Sequence, residues 1–144
     1  MKILVLNGPN LNLLGSREPD VYGLQSLADL ESSCRKTAAE SKVEIDFRQT
    51  NSETELIEWL HEAFDQKLHV VLNPAAFTHY SYALRDACAA VTQSGLKLIE
   101  VHISNPHSRE SFRQISVISA VATGVIAGFG FSSYSLAIRQ LSER

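Results

Sequence analysis

Short apolar runs alternate along this chain with longer segments in which apolar residues recur at helical spacing. The runs, together with one stretch of alternating apolar and charged residues, predict strands at residues 3–6, 43–47, 69–73, 96–102 and 121–127. The helical spacing predicts helices at residues 27–41, 51–64, 81–91 and 132–141. Strand-like and helix-like segments therefore follow one another along the whole chain.

This alternation determines the fold class that we expect. A helix between two strands brings the chain back by a right-handed crossover, so the strands lie parallel in one sheet. For 144 residues, of which 44% are hydrophobic, we predict an α/β fold: a flavodoxin-like three-layer sandwich around a five-stranded parallel sheet of order 2-1-3-4-5. We expect residues 1–144 to form a single domain, because a chain of this length builds one core.

Composition and charge restrict the partners. The net charge is -3 and the chain has no run of Lys or Arg, so binding to nucleic acid or to an anionic membrane is not expected. The amino terminus enters a strand without a signal sequence, and no apolar run approaches the length of a membrane span. We therefore expect a cytoplasmic protein. Cys34 and Cys88 have no metal-ligand spacing and are predicted to be small core residues.

Polar side chains follow three strands that the predicted order places side by side. The first strand leads into NGPNLNLLGSREPDVYG, the third ends at Asn73 before PAAFTHYS with His79, and the fourth ends in EVHISN. In open α/β sheets ligands bind at the carboxyl edge, so we predict one cleft there. Taken singly, these Asn, Gly and Pro residues can simply build turns and His79 can cap a helix. The coincidence of three clusters at one edge favours a site.

Glu100 and His102 lie two residues apart on a predicted strand, so their side chains project to the same face. A carboxylate in that position can orient or charge an imidazole, which suits a general acid. A histidine with satisfied hydrogen bonds in the core is the alternative. His79, Glu100, His102 and His107 are also ligand types for zinc, but no HExxH or helix-spaced pair presents them. We therefore predict no metal site.

Arg17 and Tyr22 lie five residues apart in the polar loop after the first strand. A phenol is ionised at neutral pH to only about one part in a thousand, and a cation within ~4–6 Å favours the ionised form. Arg17 can supply that cation, with Arg109 or Arg113 in addition, and the tyrosinate would serve as a base. The alternative is a surface tyrosine beside an arginine that is paired with Glu18 or Asp20.

These motifs are recognisable as a set. NGPNLNLLGSREPDVYG, QTNSETELI, NPAAFTHYSYALRD, EVHISNPHSRESFR and ATGVIAGFG resemble the type II 3-dehydroquinate dehydratases, and the resemblance extends from Leu6 to the last helix. It implies a lyase that removes water from 3-dehydroquinate to give 3-dehydroshikimate, a step that serves the shikimate pathway of aromatic amino acid biosynthesis and also quinate breakdown. It also implies no cofactor, no metal, and trimers assembled into a dodecamer.

The resemblance assigns roles to particular residues. By position, Tyr22 would be the base, Arg17 would keep it ionised, and Asn12 would stabilise the enolate directly or through a water molecule. His102 would protonate the departing hydroxyl, with its ring oriented by Glu100. The family's substrate contacts fall on Asn73, His79, the backbone at Ile103, Ser104 and Arg113. Asp86 matches a residue that reaches the site of a neighbouring subunit.

Three positions depart from the family pattern, because Thr54, Ala75 and Ser133 stand where the family has glycine. We expect the backbone at these positions not to need a positive φ. None of the three is an assigned catalytic position, so the departures bear on affinity more than on reaction type. A non-catalytic binding protein for a small polyol carboxylate is the alternative function.

Overall fold

A computed structural model describes residues 1–143. It contains five strands: β1 Lys2–Asn7, β2 Glu44–Gln49, β3 His69–Asn73, β4 Leu98–His102 and β5 Gly124–Ala127. The α-helices are α1 Pro19–Tyr22, α2 Leu27–Glu40, α3 Glu53–Gln66, α4 Tyr82–Gln93 and α5 Ser132–Ser142. Short 3₁₀ turns occupy Leu11–Leu13, Ala75–His79, Pro106–Ser108 and Ser111–Gln114.

All neighbouring strands pair in parallel, in the order β2-β1-β3-β4-β5. The predicted α/β fold and strand order are therefore confirmed. In the register, Asn7 at the end of β1 pairs with Asn73 at the end of β3, and Leu72 of β3 pairs with Glu100 of β4. The carboxyl ends of these three strands consequently lie side by side at one edge of the sheet.

The sheet is buried on both faces, which explains why its central strands are almost entirely apolar. Ile3 and Val5 point into one core layer with residues of α2 and α5, whereas Leu4 and Leu6 point into the other with residues of α3 and α4. The three layers thus follow from the alternation of side chains along β1.

Side chains that accept hydrogen bonds set the starts of three helices. The Ser26 hydroxyl accepts from Asp29 N while the Asp29 carboxylate accepts from Ser26 N, a capping box at the start of α2. Ser52 and Ser81 accept from backbone N–H groups three residues later and begin α3 and α4. The predicted helix start at residue 81 is therefore its N-cap.

Two strands begin later than predicted. β4 starts at Leu98 rather than at residue 96, and β5 starts at Gly124 rather than at residue 121. Residues 121–122 instead form a turn, in which Val121 N and Ala122 N both donate to Ile118 O. The apolar character of this turn comes from packing against the core rather than from a strand.

The cysteines lie in the core, as predicted: Cys34 and Cys88 are free thiols with no exposed surface. Burial raises the pKa of each thiol to about 12. Across residues 1–143, no helix has the length and apolar character that crossing a membrane requires.

Candidate active site

A cleft opens at the carboxyl ends of β1, β3 and β4. Eleven residues are assigned to the site from the sequence, and eight of them line this cleft: Arg17, Tyr22, Asn73, His79, His102, Ile103, Ser104 and Arg113. The cavity has a volume of about 50 Å³, and it adjoins a second cavity of about 220 Å³ that shares His79, His102 and Arg113 with it. The proposed acid and the proposed base therefore face one space.

A buried hydrogen-bond network ties the ends of β1 and β3 together beneath the cleft. The Tyr134 hydroxyl of α5 donates to Asn7 Oδ1 at 2.6 Å and accepts from Asn73 Nδ2 at 2.8 Å. Burial strongly raises the pKa of Tyr134, so the phenol stays neutral and able to donate. The network fixes the amide of Asn73, whose Oδ1 accepts from Ala75 N at 3.0 Å.

The loops after β1 and β3 also approach each other closely. Gly8 N donates to Asn73 O at 2.8 Å. A Cβ atom at Gly8 would lie 2.7 Å from Pro74 O, which is too close for any residue but glycine. This contact brings the two loops to the same side of the cleft.

His102 and Glu100 form a tight pair at the end of β4. His102 Nε2 lies 2.5 Å from Glu100 Oε2, and the exposed fractions of the two residues are 8% and 1%. Burial alone would raise the pKa of Glu100, but hydrogen bonds from His102, Ser119 and Ser116 outweigh it and hold that pKa below 4.5. The ionised carboxylate accepts from Nε2, which leaves Nδ1 as the ring nitrogen available for another partner.

His79 is held in one tautomer by the backbone. Its Nδ1 lies 2.8 Å from Ile115 O, and because a carbonyl only accepts, Nδ1 carries the proton. Burial, together with the charges of His102 and Arg113, lowers the pKa of His79. At neutral pH the Nε2 atom of His79 is thus an acceptor that suits a hydroxyl donor.

Tyr22 is presented by a short helix whose ends are set by the sequence. Pro19 occupies the first turn of α1, and Gly23 ends the helix with a φ of 78°. Arg109 Nη1 donates to the Tyr22 hydroxyl oxygen at 2.7 Å, and this arginine side chain is only 10% exposed. The phenol oxygen therefore accepts a charge-assisted hydrogen bond.

Arg17, to which the sequence gives this role, lies further away. Its guanidinium carbon is 6.0 Å from the centre of the Tyr22 ring, and its Nη2 pairs with Glu18 at 3.3 Å. Arg17 lines the cleft without a hydrogen bond to the phenol. The sequence predicts Arg17 as the main cation beside Tyr22 and Arg109 only as an additional one. Residue spacing does not show which arginine the loops bring to the Tyr22 hydroxyl.

Three assigned residues lie outside the lining of the central cavity. Glu100 is behind His102 and borders the adjoining cavity. Asn12 is exposed, and its Oδ1 lies 3.5 Å from Gln49 Nε2. Asp86 is on α4 with a side chain that is 79% exposed and pairs with Arg85.

Thr54, Ala75 and Ser133, which replace glycines of the family, were expected to have no positive φ. The structure agrees at two of these positions and differs at one. Thr54 and Ser133 lie in α3 and α5, where no positive φ is needed. Ala75, however, adopts a φ of 52°. The prediction for Ala75 was wrong because the turn after β3 keeps its left-handed geometry through the bond from Ala75 N to Asn73 Oδ1.

Within the described part of the chain, no three His, Cys, Asp or Glu side chains group together so that they could hold a metal ion. The convergent polar groups of the cleft instead include three arginines, two histidines, an asparagine, a tyrosine and a serine: Arg17, Arg109, Arg113, His79, His102, Asn73, Tyr22 and Ser104. Such donors suit an anionic, hydroxylated molecule.

Comparisons with known proteins agree with these features. The family model described as "Dehydroquinase class II" matches residues 1–142. A protein of Kineococcus radiotolerans named 3-dehydroquinate dehydratase is 56% identical over 144 residues, which cover 100% of this chain and 97% of that protein. One of the same name from Bacillus licheniformis is 57% identical over 136 residues, covering 94% and 92%.

Solved structures give the same result. The type II dehydroquinase from Propionibacterium acnes superposes with a TM-score of 0.94 at 45% identity, covering 98% of this chain and 95% of that one. The type II dehydroquinase from Butyrivibrio crossotus superposes with a TM-score of 0.95 at 44% identity, covering 99% and 98%.

Proposed function

The chain belongs to the class II dehydroquinase family, and from this membership and the cleft we propose that it removes water from 3-dehydroquinate to give 3-dehydroshikimate, with Tyr22 as base and His102 as acid. One observation carries the assignment of roles. Tyr22 and His102 line the same cavity, and each has its own charged partner, Arg109 for the phenol and Glu100 for the imidazole.

The first step is removal of a proton from the carbon beside the ketone. A guanidinium has only donors, so the Tyr22 oxygen is the acceptor in its bond to Arg109. That bond and the second cation at Arg17 stabilise the phenolate, which then takes the proton. The enolate that results needs a hydrogen-bond donor, and the family resemblance assigns this role to Asn12, directly or through a water molecule.

The second step is loss of the hydroxyl group. His102 gives a proton to the departing oxygen, which leaves as water while the enolate electrons form the new carbon–carbon double bond. Because Nε2 faces the ionised Glu100, Nδ1 delivers the proton. Glu100 keeps the ring in one orientation through its contact with Nε2.

Binding of the substrate uses the remaining groups of the cleft. Arg113, with a side chain 14% exposed, and the Ser104 hydroxyl suit the substrate carboxylate, together with the backbone at Ile103. Asn73 and His79 Nε2 suit its ring hydroxyls. No cofactor or metal takes part in this scheme.

The test is an ultraviolet assay for the conjugated enone, run with 3-dehydroquinate in the presence and absence of a chelator. We expect absorbance to rise at the same rate in both. Tyr22→Phe should lose most of kcat and keep substrate affinity, because it removes only the oxygen that takes the proton. Binding without any rise in absorbance would identify a binding protein instead, and near-normal turnover by Tyr22→Phe would remove it as the base.

We further propose that the protein works in the cytoplasm, in the shikimate pathway, as a dodecamer built from trimers. Several large apolar side chains are exposed in the single chain, which supports burial by other subunits: Tyr80, Tyr82, Phe112, Ile115 and Phe129. Asp86 would then reach a neighbouring site. Light scattering of wild type and Asp86→Ala tests this, and a fully active monomer would refute it.

A further inference from the structure

Two serines outside the proposed reaction scheme hold the carboxylate of Glu100. Ser119 Oγ donates to Oε1 at 2.7 Å, and Ser116 Oγ lies 3.1 Å from Oε1 and 3.2 Å from Oε2. Both serines belong to the connection between β4 and β5, which passes beside the end of β4. The carboxylate thus has donors on both of its oxygens although it is 1% exposed.

A buried carboxylate without donors is protonated, because removal from water disfavours its charged form. Here the pKa of Glu100 is lowered in spite of burial, and the two hydroxyls contribute to that shift along with His102. With Oε1 occupied by serine hydroxyls, Oε2 is the oxygen left for His102 Nε2. The serines therefore fix the orientation of the carboxylate, so that one of its oxygens faces the imidazole.

The same segment, residues 115–119, is itself fixed. Ser116 Oγ accepts from Ile118 N at 3.1 Å and from Ser119 N at 3.0 Å, and Val117 N donates to Thr78 O at 2.8 Å. Ile115 O holds the proton of His79 Nδ1. One short segment thus sets the hydrogen-bonding pattern of both cleft histidines.

We propose that Ser116 and Ser119 are positioning residues, which keep Glu100 ionised and aimed at His102 so that His102 can act as the acid. The inference rests on the proposed function for its effect on turnover, but not for its effect on the ionisation of Glu100. Neither serine lines the central cavity, and in the adjoining cavity, which both border, their hydroxyls contact Glu100, so each acts through Glu100.

Other ionisable groups face the pair and stay in place when a serine is replaced. Cys88 of α4 lies close enough to Glu100 for the carboxylate to help raise the thiol pKa, and His79 after β3 is close enough to both Glu100 and His102 for their charges to act on it. The connection after β4 adds Arg113 and His107 around the adjoining cavity, whereas β5 presents only Val125 and Ala127 there. A change in titration on removing one hydroxyl can therefore be assigned to that hydroxyl.

Ser119→Ala is the clean test. Within residues 1–143 the Ser119 hydroxyl makes no other hydrogen bond, whereas Ser116 also supports the turn. We expect kcat to fall about tenfold with KM within about twofold, because one hydrogen bond to the carboxylate is lost and the substrate contacts remain. The ionisation of Glu100 is followed by the NMR signal of its ¹³C-labelled carboxyl carbon in the protein without substrate. The signal is assigned by its absence in Glu100→Gln. In Ser119→Ala it should titrate about one pH unit higher than in wild type.

Two matched variants serve as controls. Ser119→Thr keeps the hydroxyl and should restore both kcat and the titration of Glu100. Ser81→Ala removes another buried serine that donates to a carboxylate, at 2.6 Å from Glu53 Oε2, and should leave the Glu100 titration unchanged. Ser81 also caps α4, so the decrease in the free energy of unfolding of Ser81→Ala shows the effect of losing a hydroxyl with a structural role only.

The proposal is overturned if folded Ser119→Ala titrates at Glu100 as wild type does, or if kcat is unchanged. If Ser119→Ala does not fold, Ser119→Cys takes its place, because a thiol is similar in volume to the hydroxyl and a far weaker donor. The Glu100 carboxyl of Ser119→Cys must then titrate at a higher pH than in wild type, or the proposal is wrong. If wild type does not turn over 3-dehydroquinate, the proposed function fails, and the carboxyl titration still decides the role of the serines.

Discussion

Arg109→Ala is the substitution that most directly tests how the phenol of Tyr22 becomes a base. The guanidinium carbon of Arg109 lies 5.2 Å from the centre of the Tyr22 ring and that of Arg17 lies 6.0 Å from it, and Arg109 Nη1 also bonds to the Tyr22 oxygen at 2.7 Å. The resemblance to the family assigns this role to Arg17, and the geometry gives the direct hydrogen bond to Arg109. The two arginines can be separated by experiment.

The expected loss follows from the type of contact. A hydrogen bond from a charged donor is worth about 1.5–3 kcal/mol net, and every 1.4 kcal/mol is a factor of ten in rate. The Arg109 side chain is 10% exposed, so solvent screens this bond little. We therefore expect Arg109→Ala to lower kcat about 10- to 100-fold. Arg109→Lys should recover only part of this loss, because an ammonium lacks the planar fork in which Nη1 contacts Tyr22 and Ser104 while Nη2 lies 3.5 Å from Glu18.

The assay is the initial rate of enone formation at saturating 3-dehydroquinate, with Arg17→Ala measured alongside. Arg139→Ala is the matched control. Arg139 of α5 is 55% exposed and pairs with Glu40 of α2, and neither residue lines the cleft. This variant should retain wild-type rates. A kcat for Arg109→Ala within about twofold of wild type would refute the role that the short contact indicates. Arg17 would then be the arginine that stabilises the ionised Tyr22.

Three further outcomes are expected. Ala75→Gly should raise the free energy of unfolding by about 0.5–1 kcal/mol in a denaturant titration, because a φ of 52° strains any residue with a Cβ; a destabilised variant would contradict this. Tyr134→Phe should lower the free energy of unfolding by about 2–4 kcal/mol, since it leaves Asn7 Oδ1 and Asn73 Nδ2 buried without a hydrogen-bond partner, and an unchanged midpoint would count against the network. Cys34 and Cys88, with thiol pKa values of about 12, should resist alkylation at pH 8 until the protein unfolds.

The strands could be predicted because the pattern of apolar residues within a short segment shows whether that segment is a strand or a helix. Their order follows from the alternation of strands and helices along the chain. The run at residues 3–6 is buried on both faces, as its unbroken apolar character indicates. The start of β5 could not be predicted in the same way. Val121 and Ala122 are apolar because they cover the core from a turn, and apolar character alone does not distinguish a turn of this kind from a strand.

The positions of Glu100, His102 and Asn73 could likewise be predicted, because each lies at the end of a strand whose neighbours are known. Their partners could not. The bond between Arg109 and Tyr22 joins residues 87 apart, and the bond between Asn73 and Tyr134 joins residues 61 apart. No spacing rule connects such pairs, since the path of the loops between them decides which side chain arrives.

The unpredicted partners come largely from one connection, between β4 and β5. The other crossovers of the described chain contain an α-helix, whereas this one contains two short 3₁₀ turns. A helix would satisfy its own backbone and turn one face to the sheet. The irregular segment instead extends Arg109 to Tyr22, the Ile115 carbonyl to His79, and the hydroxyls of Ser116 and Ser119 to Glu100. The lack of periodicity that hides this segment in the sequence is thus what lets it place a partner beside each reactive group.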